Sequence, residues 1–147
     1  MKFKKITVYP SESEAVDAWC SEYRYLSEKI EFAAMVYSAF KDKSKIYYTG
    51  RTYAGMGKLG FIRPNVVMPF IYIYTIQSLI QRILHKAFKE SFIHTHPKPN
   101  AGYTYRHHSK EDMFLLRLPG IKAVYVIPFE NNEVNRQPFI DKDKILL

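Results

Sequence analysis

The sequence contains a single cysteine, Cys20, so it forms no internal disulfide and builds no cysteine-rich zinc site. Beside Trp19 in a helix-like stretch, that thiol reads as a small core hydrophobe. No apolar run approaches the ~18 residues of a membrane span. Met1-Lys2-Phe3-Lys4-Lys5-Ile6 lacks the apolar run of a signal peptide. No membrane partner is expected, and the expected location is the cytoplasm, or beyond it if another machine exports the chain as an effector. Glycine is scarce, and four of the six fall between residues 49 and 65. Gly55-Met56-Gly57-Lys58-Leu59-Gly60 spells G-x-G-x-x-G. A dinucleotide fingerprint needs a helix opening at those glycines and an acid about 20 residues on. Phe61-Ile62-Arg63-Pro64 breaks such a helix, and no acid appears until Glu90, so the stretch reads as a loop.

What is present is globular. Hydrophobic residues make up 47% of the 147, enough for one domain with one core. Aromatics reach 16%, mostly Tyr and Phe, which favours strands. The net charge of +8 favours acidic partners in general. The basic residues are scattered, however, and no helix-turn-helix, zinc-finger or RNA-recognition signature appears, so nucleic acid is a secondary expectation.

Residues 1–10 read as a short strand stopped by Pro10. Ser11 or Ser13 caps a helix with Glu14 as capping-box partner. It carries Ala15, Val16, Trp19, Tyr23 and Leu26 on one side and runs to about Lys29. Ile30 to Phe40 reads as a buried strand with Glu31 at its start. A turn at Lys41-Asp42-Lys43-Ser44 then gives a hairpin with Lys45 to Tyr48. Ile76, Leu79, Ile80, Ile83, Leu84, Ala87 and Phe88 fall at helical spacing, with Gln77, Gln81, Arg82, Lys86 and Lys89 opposite. That helix is expected to end near Glu90 and to pack on a strand from Ser91 to His96. A turn-rich loop follows, then a helix from Ser109 to about Leu118, a buried strand from Ile121 to Phe129, and a weak closing strand.

Chemistry concentrates in Phe92-Ile93-His94-Thr95-His96-Pro97. Histidines at i and i+2 of a strand share a face, because strand side chains alternate. Asp112 offers a carboxylate from the next element. Two imidazoles and a carboxylate are three zinc ligands, leaving the fourth position that a catalytic site keeps open. Blander readings compete. Strand histidines often serve as core or edge residues, and Ser109-x-x-Asp112 is a good helix cap in its own right. Other H-x-H folds fit poorly. A metal-dependent barrel needs some 200 residues or more after an H-x-H on its first strand. A cupin wants a glutamate shortly after the second histidine, and residues 97–102 contain none.

His94-Thr95-His96-Pro97 followed by Ser109-Lys110-Glu111-Asp112 resembles the JAMM motif, H-x-H-P…S-x-x-D, of the MPN/JAB-domain metallopeptidases. Ile30-Glu31-Phe32-Ala33-Ala34-Met35-Val36-Tyr37 is similar to the context of that family's upstream glutamate. The resemblance spans residues 15–130 and looks closest to small bacterial JAB-like domains, some attached to toxin or effector systems. It implies a single α/β (α+β) domain, a mixed sheet flanked by helices with cytidine-deaminase-like layering. It also implies Zn²⁺ held by His94, His96 and Asp112, Glu31 as general base, and Ser109 stabilising the oxyanion. Hydrolysis of a peptide or isopeptide bond in a protein or peptide substrate would follow, with a cognate inhibitor (immunity) protein as a partner. Glu28 and Glu22 stand near Glu31 as rival bases. The His96-to-Ser109 interval is several residues longer than the family's. It carries His107 and His108, read as part of a longer rim loop or as further ligands. The rival functions are a metal-dependent nuclease toxin, suggested by the charge, and an inactive binding module that keeps the fold.

Overall fold

The computed structural model describes residues 6–28, 30–54, 71–96, 120–129 and 134–138. Helix α1, Glu12–Tyr23, starts where Ser11 is extended and its hydroxyl accepts the Glu14 N–H at 3.2 Å. Glu12 and Glu14 in the first turn suit the positive end of the helix dipole. The helix stops six residues before the expected Lys29. Leu26 and Ser27 donate to the carbonyls three residues back rather than four, and the Ser27 hydroxyl also bonds the Arg24 carbonyl. These tighter bonds end the α-helical ladder, and Leu26 is left exposed instead of buried.

Strand β1, Phe32–Lys41, is buried from Ala33 to Ala39. It turns through Asp42, whose φ of 56° a short polar side chain tolerates, into β2, Ser44–Thr49. The short β3, Tyr53–Ala54, also pairs with β1. No strand forms over residues 6–10, against expectation: Tyr9 makes an isolated bridge to Tyr47, and Pro10 supplies no N–H to extend it.

Helix α2, Ile71–His85, ends earlier than predicted. Lys86 adopts φ 53° and its N–H closes on the Arg82 carbonyl, a left-handed cap, so that β4 begins at Phe88 and runs to His96. Strand β5, Ala123–Pro128, pairs parallel with β4, and β6, Asn135–Pro138, pairs antiparallel with β5. The order β2-β1-β4-β5-β6, with β3 beside β1, gives one mixed six-stranded sheet.

The two helices among the described residues cover opposite faces. Val16, Trp19 and Cys20 of α1 pack on Ala34, Val36, Ile93, Tyr125 and Ile127. Burial raises the Cys20 thiol to about 11, in keeping with a core role. Tyr74 of α2 packs on the other face with Ala33, Met35, Tyr37, Phe92 and Val124.

Helix α2 is oriented inside out relative to its sequence pattern. Ile76, Leu79, Ile80, Ile83 and Leu84 are exposed, whereas Tyr74 and Ser78 are buried. The reason lies in the sheet. The Tyr37 hydroxyl reaches Gln77 Oε1 at 2.9 Å and Ser78 Oγ at 3.0 Å, and the Tyr48 hydroxyl donates to Gln81 Oε1 at 2.7 Å. Tyrosine hydroxyls pointing off a buried face need partners, and only the helix's polar side supplies them. No described helix is long and apolar enough to cross a membrane. The glycine-rich loop and the helix expected from Ser109 lie outside the described residues.

Candidate metal site

The site is built by alternation and register. On β4, Phe92, His94 and His96 point to the α2 face, while Ile93 joins the α1-side core. Across the antiparallel ladder, Ala33 pairs with His94. Glu31, two residues before Ala33, therefore falls on the same face, beside His96. The Phe32 N–H donates to the Thr95 hydroxyl at 2.9 Å, tying the residue after Glu31 to the residue between the histidines.

The outcome is a compact buried triad. The Nε2 atoms of His94 and His96 stand 3.1 Å apart, and Glu31 Oε1 lies 4.0 Å from each. His94 is 0%, His96 2% and Glu31 3% exposed. Three titratable groups in one dry place are costly unless they are paired or hold a cation. The geometry and donor chemistry fit a cation. Two imidazole nitrogens at that separation can each stand about 2.0–2.1 Å from one zinc ion. The Glu31 carboxylate oxygen, 4.0 Å from both, is placed either to join them on the ion or to face it across a water. Glu31, His94 and His96 could hold a metal ion.

Aromatic rings wall the site. The Phe92 and His94 centroids are 5.6 Å apart, and Tyr74 meets Phe92 edge-on at 5.1 Å and Tyr53 at 5.4 Å. The Tyr74 hydroxyl is buried and hydrogen-bonds to no described group. Burial holds it protonated far above the usual phenol range, with the charges of Tyr53 and Glu31 adding to the effect.

Of the three glutamates weighed as bases, Glu22 and Glu28 are exposed, and Glu31 is the one gathered to the imidazoles. Ser109, Asp112, His107 and His108 lie outside the described residues. Two residues escaped the sequence reading. Thr95 was legible only as the spacer of H-x-H, although a hydroxyl on the opposite face of a buried strand needs a partner. Nothing in the sequence distinguishes Tyr74 from the other tyrosines.

Compared with family models, curated proteins and solved structures, the chain matches none.

Proposed function

We propose that the protein is a zinc-dependent hydrolase of peptide or isopeptide bonds, of the JAMM type that its motif resembles. The observation that carries this reading is the buried convergence of Glu31, His94 and His96. The mixed α+β sheet, with the H-x-H strand at its centre, is compatible with a JAB/MPN-like fold. In this reading His94 and His96 hold the ion, and Asp112 is assigned as third protein ligand from the motif. Zinc, when bound, supplies Lewis acidity, lowering the pKa of water to about 7 and polarising a carbonyl. Glu31 takes a proton from the attacking water. The water oxygen bonds to the carbonyl carbon, and Ser109 donates to the developing oxyanion. The C–N bond then breaks as Glu31 returns the proton to the leaving amine. The roles assigned to this chain's own residues are thus orientation, proton transfer and stabilisation of the oxyanion.

A second reading has its own support. Full burial of all three donors favours a closed site in which Glu31 ligates zinc directly beside Asp112, as structural zinc sites do, with the fold serving as a binding module. Glu31→Gln separates the two. The hydrolase reading expects this variant to retain zinc and to lose cleavage of a peptide library or of ubiquitin-like isopeptide substrates. Loss of zinc together with cleavage points to the closed site. Cleavage of DNA or RNA that disappears in His94→Ala would instead support the nuclease alternative.

A further inference from the structure

Among the described residues, exposed large apolar side chains gather on the outer surface of α2. Ile73, Ile76, Ile80 and Ile83 are spaced by three, four and three residues, the a/d spacing of a helix–helix seam. Leu79 and Leu84 flank them. All six lie on the surface, between 38% and 71% exposed. Together they present on the order of 600–700 Å² of largely apolar surface, beyond the ~300–600 Å² largest patch of a typical monomer. That is close to the ~800 Å² per partner of a standard stable interface.

We propose that this face docks on the same face of a second copy of the chain, with the two α2 helices antiparallel. The seam is palindromic about the level of Ser78: Ile76 and Ile80 lie equally far from it, as do Ile73 and Ile83. A two-fold contact demands this property, since residue i of one copy must meet residue j of the other while j meets i. The antiparallel direction also opposes the two helix macrodipoles, which a parallel pair would align. The inner face of α2 is already engaged with Tyr37 and Tyr48, so the dimer needs no rearrangement of the core.

Sedimentation equilibrium of the full chain tests this, from micromolar to sub-millimolar concentration. The expected particle has twice the 17.3 kDa mass of one chain. Ile80→Glu buries a charge at the seam and is expected to weaken association by roughly a hundredfold or more. Its circular dichroism should match the parent, because the substituted side chain is solvent-exposed in one copy. In the Ile76→Cys/Ile80→Cys variant, oxidation is expected to link two chains. A wild-type chain that stays monomeric throughout overturns the proposal, whatever else covers the face. So does a dimer that survives in a folded Ile80→Glu variant.

Discussion

The Phe32 amide donates to the hydroxyl of Thr95, and with the β1–β4 ladder this bond ties the residue after Glu31 to the strand that carries the two imidazoles. Thr95 faces away from the site, so its influence runs through the backbone of β1. Thr95→Val keeps the shape and removes the acceptor, leaving an N–H unsatisfied. The expected cost is about 1–3 kcal/mol of stability, read as a lower denaturation midpoint, with weaker metal binding alongside. Thr95→Ser should restore both. A Thr95→Val protein as stable as the parent would mean that the bond does not hold Glu31.

Tyr74 supplies a contrast between two tyrosines of one core. Its buried hydroxyl bonds to no described group, whereas that of Tyr37 engages Gln77 and Ser78. Removing an unsatisfied buried hydroxyl relieves a penalty, while removing a satisfied one strands its partners. Tyr74→Phe is expected to be neutral or stabilising by up to about 1 kcal/mol, and Tyr37→Phe to destabilise by about 1 kcal/mol or more. Urea unfolding of the two variants checks this, and a reversed order contradicts it.

Glu90 predicts an acid-side loss of stability. Burial by itself would raise this carboxyl, but the Ser38 hydroxyl, Lys122 at 3.0 Å and Lys45 at 3.4 Å outweigh it and hold the group below its ordinary value. A carboxyl depressed in the folded state stabilises above its unfolded pKa of about 4.3, and the contribution disappears as pH falls through the folded value. Wild type should exceed Glu90→Gln by about 1–3 kcal/mol at neutral pH. Unfolding measured at descending pH should show that gap narrowing below the unfolded pKa. A gap that stays constant into strong acid would place the stabilisation elsewhere.

The parts of the fold legible in the sequence were those set by short-range rules. Ser11 followed by Glu14 marked the start of α1, the polar run Lys41 to Ser44 marked the hairpin, and period-two alternation put His94 and His96 on one face. The orientation of α2 was not legible from its own pattern. Its apolar stripe signals a buried face only where the surface beneath is apolar, and here that surface carries the hydroxyls of Tyr37 and Tyr48. Gln77 and Gln81 therefore turn inward, a long-range pairing that helical periodicity does not encode. The approach of Glu31 depended on register across β1 and β4, which includes a shift between Val36 and Tyr37. The family resemblance singled out Glu31 among its neighbours, but only the ladder brings it to the histidines.

The account rests on His94 and His96 acting as one metal-binding pair, and zinc titration against a competing chromophoric chelator tests that directly. Wild type is expected to bind one equivalent of zinc. The His94→Ala/His96→Ala variant, verified as folded, should bind none at the same chelator strength. Equal zinc uptake by a folded double variant, or none by wild type, would contradict it.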